Sequence, residues 1–487
     1  MAKAIMIQGT MSNVGKSYVT AGLLRVFMQD GLKAAPFKSQ NMALNSFVTN
    51  EGLEMGRAQV MQAEAAGIEP SADMNPILLK PTTDVGSQVI VNGKAIGNMR
   101  AVDYFKHKQS LVPQIMSAYN RLAEKYDVIV IEGAGSPAEI NLKKNDIVNM
   151  GMAQMAKSPV LLVGDIDRGG VFAQLTGTYM LLEENEKKYI KGFVMNKFRG
   201  DKMILEPGIK MLEDICPVPV TGVLPYTPLD IDDEDSLSDR LGKKQTDEKN
   251  IFICVIKLPR ISNFTDFNML DSVDGCEVRY VDNGKELWDA DCIIIPGTKN
   301  TIADMQWLKE RKLDRMIRLM NNEGCPVVGI CGGFQMLGRK ITDDMGVEGE
   351  IKNINGLGLI DAETVMQSEK TCINGSKTLD GISGLFSVLN GSMAKGYEIH
   401  AGVTKVGDKE VICSGKNNVF GTYLHGLFDK KEFLNKFLTV LSAETGKKIS
   451  ADFSYETVKE REYDKLADMV RENMDMQAVY RILGKGM

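Results

Sequence analysis

The stretch IMIQGTMSNVGKS, Ile5–Ser17, contains the pattern on which the predicted fold depends. An apolar run, Ala4–Ile7, is followed by a glycine-containing turn that ends at the N-terminus of a predicted helix. Apolar runs of this length, bounded by glycine, proline or aspartate, are typical of buried parallel strands. Comparable runs alternate with helical patterns at Val128–Ile131, Val160–Val163, Phe193–Val194, Phe252–Ile256, Cys292–Ile295 and Val327–Ile330. This alternation predicts an α/β protein with two doubly wound domains.

The turn after the first strand has the composition of a phosphate-binding loop. Its candidate residues are Gly9, Thr10, Gly15, Lys16 and Ser17. In such a loop the backbone N–H groups surround phosphate oxygens, the lysine reaches the terminal phosphates, and the serine hydroxyl binds Mg²⁺. The spacing G-x5-GKS is one residue longer than the common G-x4-GKS, which indicates a variant of the motif. A chance glycine turn before a helix is the alternative.

Two further polar residues come directly after strand-like runs. Glu132 ends the run VIVIE, and Lys38 follows AAPF. Ligands of doubly wound sheets bind at the carboxyl ends of the strands, so both side chains are expected near the phosphates. A carboxylate at this position can hold the Mg²⁺ that neutralises a transferring phosphoryl group. The alternative for Glu132 is a helix cap or a solvated loop acid.

A second candidate site lies in GICGGFQMLG, Gly329–Gly338. Here Cys331 stands between a predicted strand and two glycines that open a helix, a turn that exposes the sulfur near a helix N-terminus and favours the thiolate. The N–H of Gly332 and the turn around Gly297 are candidate oxyanion donors. The base is expected to be His425, at the end of another strand, with His400 as the competing histidine. The alternative is a buried, unreactive thiol.

Composition limits the function classes and the chain's organisation. The 487 residues are predicted to form a domain at 1–228, a linker at 229–249, a domain at 250–446 and a helical extension at 447–487. The net charge of −6 gives no global attraction to nucleic acid or anionic membranes. Eight cysteines without a CxxC pair argue against a zinc site or a disulfide framework. The N-terminus shows no signal-peptide pattern, so we expect a cytoplasmic protein.

These motifs carry a resemblance to known families. GICGGFQMLG with the later LHG resembles class I glutamine amidotransferase domains. Over nearly the whole length, and in order, the chain resembles the cobyric acid synthase family. The stretches that carry this likeness include QGTMSNVGKS, PFKSQNMALNS, MNPILLKP, SQVIVNGK, IEGAGSPAEINL, DIVNMGMA, VGDIDRGGVFA, NKFRGD, PGTKNTIADMQWL and GYEIHAG.

The resemblance implies a fold, a reaction and site residues. An ATP-dependent domain similar to dethiobiotin synthetase would precede the amidotransferase domain. Together they would use ATP, Mg²⁺ and glutamine to amidate the b, d, e and g carboxylates of adenosylcobyrinic acid a,c-diamide. The partners would then be small molecules, with no nucleic acid and no membrane.

The resemblance also implies roles for individual residues of this chain that match functional positions of these families. Cys331 matches the nucleophile, His425 the catalytic histidine, and Gln335 a glutamine-binding residue. The phosphate-binding match covers Lys16, Ser17 and Lys38. Asn196 matches an adenine-reading position, Glu132 a metal ligand, and Glu51, more loosely, a second acid near Mg²⁺.

The chain departs from the class I amidotransferase pattern at one position, and three alternative functions remain open. Most class I amidotransferases have H-x-E, whereas this chain has His425-Gly426-Leu427, which predicts a Cys–His dyad. What orients the histidine stays open, with Glu398 as one candidate. The rival functions are cobyrinic acid a,c-diamide synthase, CTP synthase, and a non-catalytic P-loop binding protein with an inactive amidotransferase domain.

Overall fold

The computed structural model describes residues 2–83, 86–229, 231, 250–449 and 455–484. Its strands are β1 (Lys3–Gly9), β2 (Ala34–Phe37), β3 (Gln40–Met42), β4 (Ser46–Val48), β5 (Glu54–Gly56), β6 (Ile77–Thr83), β7 (Gly86–Val91), β8 (Lys94–Arg100), β9 (Val128–Glu132), β10 (Val160–Asp165), β11 (Ile190–Phe198), β12 (Val220–Pro225), β13 (Ile251–Ile256), β14 (Cys276–Val281), β15 (Cys292–Ile295), β16 (Val327–Ile330), β17 (Lys340–Thr342), β18 (Asn353–Asn355), β19 (Glu363–Thr378), β20 (Met393–Val406), β21 (Lys409–Glu410), β22 (Cys413–Lys416) and β23 (Val419–Thr422).

The α-helices of the same residues are α1 (Lys16–Gln29), α2 (Arg57–Ala65), α3 (Ala101–His107), α4 (Val112–Lys125), α5 (Met150–Ala156), α6 (Val171–Leu181), α7 (Glu184–Lys187), α8 (Lys202–Ile215), α9 (Asn268–Asp271), α10 (Thr301–Glu310), α11 (Leu313–Asn322), α12 (Gly332–Leu337), α13 (Lys431–Thr445), α14 (Tyr455–Asn473) and α15 (Met476–Gly484). Strands and helices alternate through most of the chain, and the predicted α/β class is confirmed.

The chain divides into two compact units. Unit 1 contains the described residues of 1–43, 54–235 and 458–487, and unit 2 contains those of 44–53 and 236–457. The division differs from the contiguous domains predicted above in two places. Residues 44–53 belong to unit 2, and the last two helices belong to unit 1. Most of the predicted linker, residues 230 and 232–249, lies outside the described residues.

Unit 1 is built on a six-stranded parallel sheet in the order β12-β11-β10-β1-β9-β2. Strands β9 and β10 are buried at every residue, as expected for parallel strands covered on both faces. The register places Ile7 opposite Glu132 and Gly9 opposite Val163. The phosphate-loop turn and Glu132 therefore meet at the carboxyl edge of the sheet. A second, four-stranded sheet has the order β3-β6-β7-β8.

The C-terminal helices complete the core of unit 1. Val470 and Leu466 of α14 lie against Gly22 of α1, where a Cβ would be only 2.6 Å from Val470 Cγ2. Arg25 of α1 forms ion pairs with Glu460 and Asp464 at 2.6 and 2.9 Å. The apolar spacing that predicts a helical extension is thus explained by packing onto α1.

Unit 2 has a six-stranded sheet in the order β14-β13-β15-β16-β23-β22, parallel except for the edge strand β22. Its second sheet has the order β18-β17-β19-β20-β21. In the first sheet Ile330 of β16 lies opposite Thr422 of β23. Cys331 and His425 therefore follow the carboxyl ends of neighbouring strands, the position at which ligands of such sheets bind.

Candidate functional site

The phosphate-loop turn of unit 1 has a preformed shape. Gly15 caps α1 with φ 91°, in the left-handed region that favours glycine. A Cβ at Gly15 would lie 2.2 Å from Asn196 Nδ2, which itself donates to the carbonyl of Val14 at 2.8 Å. Lys16 Nζ donates to the carbonyls of Met11 at 3.0 Å and Gly135 at 3.3 Å. The lysine ammonium is thus held across the mouth of the loop, at the N-terminus of α1.

Glu132 is the centre of the polar network beside this loop. Its Oε1 accepts hydrogen bonds from Ser17 Oγ and Lys38 Nζ, each at 3.0 Å. Its Oε2 accepts a hydrogen bond from Gln62 Nε2. Burial raises the pKa of Glu132, but the charge of Lys38 and the hydrogen bonds outweigh burial and hold that pKa below its usual value. The buried side chain is therefore a carboxylate.

This network is compatible with a magnesium ion. Mg²⁺ prefers oxygen ligands and keeps several waters and phosphate oxygens, so it needs few protein ligands. Ser17 Oγ and Glu132 Oε1 are two adjacent oxygens, and Gln62 Oε1 is buried with no hydrogen-bond partner among the described residues. In the described part of the chain, no group of three or more His, Cys, Asp or Glu side chains is arranged so that it could hold a metal ion. The remaining ligands of a Mg²⁺ ion at this position would come from the nucleotide.

The other predicted residues of this site have different surroundings. Thr10 Oγ1 donates to Gln174 Oε1 at 3.0 Å, and a Cβ at Gly9 would lie 2.6 Å from Val14 Cγ2. Asn196 contacts the loop through its hydrogen bond to the carbonyl of Val14. Its role in adenine recognition stays a prediction. Glu51 is exposed and belongs to unit 2, whereas Ser17 and Glu132 belong to unit 1. Its role as a metal ligand stays a prediction that no contact of the described residues supports.

In unit 2, Cys331 occupies a strained turn between β16 and α12. Its φ of 52° and ψ of −108° are rare for a residue with a side chain. Such strain at a strand-to-helix turn is typical of an elbow that presents a nucleophile. A Cβ at Gly333 would lie 1.9 Å from the carbonyl oxygen of Ile295. The glycines of the motif are therefore required by close backbone approach.

This contact gives a stability prediction for Gly333→Ala. Because the added Cβ meets backbone atoms rather than a flexible side chain, we expect a loss of about 3 kcal/mol in the free energy of unfolding. Thermal melts and glutamate release would both be measured. The matched control is Gly375→Ala, at a position in β19 with no heavy atom within 4 Å of the added Cβ. A wild-type melting temperature for Gly333→Ala would contradict the prediction.

The predicted oxyanion donors lie side by side. A Cβ at Gly332 would be 2.7 Å from Thr298 Cγ2 and 3.2 Å from Thr298 N, so the turn after β15 contacts the elbow. A Cβ at Gly297 would be 3.1 Å from His425 Cε1. The structure therefore brings Cys331, Gly332, Gly297 and His425 together. A Cys–His site whose oxyanion donors are the backbone N–H groups of two turns requires this arrangement.

Asp266 orients the histidine, although no motif in the sequence marks this residue. Its Oδ2 is 2.6 Å from His425 Nδ1, and its Oδ1 accepts the backbone N–H of Gly426 at 3.1 Å. Asp266 is buried and lies 159 residues before the histidine, in the short 3-10 turn Phe264–Phe267. No local spacing such as H-x-E could reveal this pair. The arrangement is a Cys–His–Asp triad rather than the predicted dyad.

The carboxylate controls the protonation of His425. Burial lowers the pKa of His425, but the charge of Asp266 and its hydrogen bond outweigh burial and raise that pKa to about 10. The neighbouring Cys331 also raises it. His425 Nε2 is buried and has no hydrogen-bond partner in the described part of the chain. At neutral pH the ring is an imidazolium, which stabilises a nearby thiolate and can protonate a leaving group.

The competing histidine belongs to another network. His400 Nε2 is 3.3 Å from Glu398 Oε2, and its ring stacks on Tyr423 with centroids 3.6 Å apart. Glu398 therefore partners His400 and does not orient His425. Gln335 is buried one turn after Cys331, where it accepts a hydrogen bond from Thr301 Oγ1 at 2.8 Å and donates to Tyr423 Oη at 3.1 Å. Its contact with substrate glutamine stays a prediction.

Among the residues that the structure describes, no helix combines the length and the apolar content needed to cross a bilayer.

Comparison with known proteins agrees with both sites. Residues 5–238 match a family described as CobQ/CobB/MinD/ParA nucleotide binding domain, and residues 252–433 match a CobB/CobQ-like glutamine amidotransferase domain. Curated proteins named cobyric acid synthase from Lachnoclostridium phytofermentans and Ruminiclostridium cellulolyticum are each 52% identical to the chain. The alignments cover 100% of this chain and 100% and 98% of those proteins. One from a Thermoanaerobacter species is 49% identical over 99% of both chains. The chain therefore belongs to the cobyric acid synthase family, a family of glutamine-hydrolysing amide ligases.

Proposed function

We propose that the protein uses ATP and glutamine to amidate the b, d, e and g carboxylates of adenosylcobyrinic acid a,c-diamide, giving adenosylcobyric acid. The observation that carries this proposal is the Cys331–His425–Asp266 triad, in a chain that also holds a phosphate loop beside Glu132. The reactants are small molecules, and the proposal involves neither nucleic acid nor a membrane.

In the glutaminase half-reaction, the Cys331 sulfur attacks the side-chain amide carbon of glutamine. The N–H of Gly332 and the turn at Gly297 would stabilise the oxyanion that forms. The His425 imidazolium donates its proton to the departing nitrogen, so ammonia leaves and a thioester to Cys331 remains. Water then attacks the thioester, assisted by the now neutral His425, and releases glutamate.

In the synthetase half-reaction, ATP first activates a carboxylate of the corrinoid. A carboxylate reacts poorly with ammonia because oxide would have to leave, whereas an acyl phosphate loses phosphate readily. Lys16 would stabilise the charge on the transferred phosphoryl group, and Lys38 would contact the nucleotide phosphates. Mg²⁺, held by Ser17 and Glu132 when bound, would neutralise phosphate charge. Ammonia attacks the acyl carbon, the amide forms and phosphate leaves.

Product analysis tests the proposal directly. The protein would be incubated with adenosylcobyrinic acid a,c-diamide, Mg-ATP and glutamine labelled with ¹⁵N at the side-chain amide. We expect four labelled nitrogens per product molecule, counted by mass spectrometry, with ATP consumed in proportion. Labelling of a substrate that still lacks the a and c amides would instead identify the a,c-diamide synthase. Glutamine left intact would favour the non-catalytic P-loop protein.

A further inference from the structure

The segment Leu44–Leu53, LNSFVTNEGL, has an unexpected place in the fold. The chain on either side of it belongs to unit 1, which carries the phosphate loop, but the segment itself belongs to unit 2. Three of its polar residues, Asn45, Ser46 and Thr49, are at most 3% exposed. A buried polar segment needs specific partners, so its contacts decide what it does.

These partners lie in the glutaminase unit. Asn45 Oδ1 accepts the backbone N–H of Phe264, and Asn263 Oδ1 accepts the backbone N–H of Ser46, both at 3.2 Å. Tyr397 Oη donates to the carbonyl of Ser46 at 3.1 Å and accepts from Asn263 Nδ2 at 2.9 Å. The segment is thus hydrogen-bonded to the residue that opens the 3-10 turn Phe264–Phe267 and to the tyrosine on β20.

Both of these elements hold His425. The 3-10 turn carries Asp266, whose carboxylate binds His425 Nδ1. The Tyr397 ring stacks on the His425 ring, with centroids 5.3 Å apart and planes inclined by 20°. The backbone N–H of each of these two residues also donates to the other's carbonyl, at 3.2 and 2.9 Å. One buried segment therefore supports the histidine from its carboxylate partner and from its stacked ring.

The two flanks of the segment are fixed at the nucleotide site. Lys38 precedes it and donates to Glu132 Oε1, and Gln62 follows it and donates to Glu132 Oε2. Glu54, directly after the segment, forms a buried ion pair with Lys80 at 2.8 Å. Within unit 1, residues before and after the segment thus contact both oxygens of the candidate metal-binding carboxylate.

We propose that Leu44–Leu53 positions the glutaminase triad, with Asn45 as a positioning residue. The inference rests on the proposed function, because it assigns the two half-reactions to these sites. Loss of the Asn45 acceptor leaves a buried N–H unpaired and loosens the turn that holds Asp266. The histidine then loses its orientation while the synthetase residues stay in place.

The test compares the full-length variants Asn45→Leu and Tyr397→Phe with the wild type. Tyr397→Phe keeps the stacked ring and removes the hydroxyl that bonds both Ser46 and Asn263. Asn322→Leu, at an exposed asparagine ending α11, is the matched control. Glutamate release, its pH profile, and amidation driven by added ammonium chloride would be measured. For Asn45→Leu we expect kcat for glutamine to fall about ten- to hundred-fold, with KM nearly unchanged. We also expect a smaller fall for Tyr397→Phe.

The pH profile separates positioning from a general loss of structure. In both variants the alkaline limb of glutaminase activity should move to lower pH, because a less well placed Asp266 stabilises the imidazolium less. Ammonia-dependent amidation should stay at the wild-type rate. Wild-type kcat and pH profiles in both variants would overturn the inference, and so would an equal loss of both activities. Failure of the wild type to amidate with ammonia would instead overturn the proposed function.

Discussion

Cys331→Ala is expected to abolish glutamine hydrolysis, with a fall in glutamate release of at least about a thousandfold. Among the described residues, no other thiol lies at the end of β16 beside His425 and the two oxyanion turns. Alanine keeps the small Cβ of the elbow, so the fold and the phosphate loop should be unaffected. Amidation supported by added ammonia should therefore continue at the wild-type rate, because the acyl phosphate of the proposed mechanism would accept ammonia from any source.

The matched control is Cys413→Ala, a second buried cysteine of unit 2. Its thiol donates to the carbonyl of Asp380 at 3.2 Å, and burial raises its pKa to about 11, so it stays protonated at neutral pH. This variant should release glutamate normally. Continued glutamate release by Cys331→Ala would remove the cysteine from the mechanism. Loss of ammonia-dependent amidation in the same variant would show that the substitution harms the fold.

Features that depend on consecutive residues could be predicted from the sequence. The strand, turn and helix around Gly15 and around Cys331 are local, and local backbone sterics determine them. The alternation of apolar runs also predicted two doubly wound domains, which the structure and the family matches confirm. The candidate residues Lys16, Ser17, Lys38 and Glu132 lie together because the carboxyl ends of parallel strands meet at one edge.

Features that depend on tertiary contacts could not be predicted. Asp266 reaches His425 from a short turn far away in the sequence, and its surroundings contain no motif that marks an orienting carboxylate. Residues 44–53 lie within the sequence of one domain but pack into the other unit. Their polar composition, with Asn45 and Ser46, reads as an ordinary loop until their buried partners are known. The packing of α14 onto α1 likewise depends on which apolar face of unit 1 the other elements leave uncovered, and the sequence does not show this.

Asp266→Asn should reduce kcat for glutamine hydrolysis by up to about ten-thousand-fold, the loss that the equivalent Asp-to-Asn change causes in a serine protease triad. Asparagine has nearly the same shape as aspartate, so the main changes are in charge and in the protons that its side chain carries. Without the carboxylate, the influence of Asp266 that raises the pKa of His425 is lost, and only Cys331 still opposes the effect of burial, so the pKa of His425 should fall from about 10. A smaller fraction of the ring is then protonated at neutral pH, so protonation of the leaving nitrogen is impaired.

The same pair makes stability depend on pH. The folded-state pKa of His425 is raised, so its contribution to the free energy of unfolding is fully present below about pH 6.5 and is lost as pH rises through about 10. Urea midpoints of the wild type should fall over this window, and Asp266→Asn should lack that part of the slope. Asp344→Asn, at an exposed aspartate of unit 2, should behave as the wild type in both assays. If Asp266→Asn kept the wild-type slope and activity, Asp266 would have no part in orienting or charging His425.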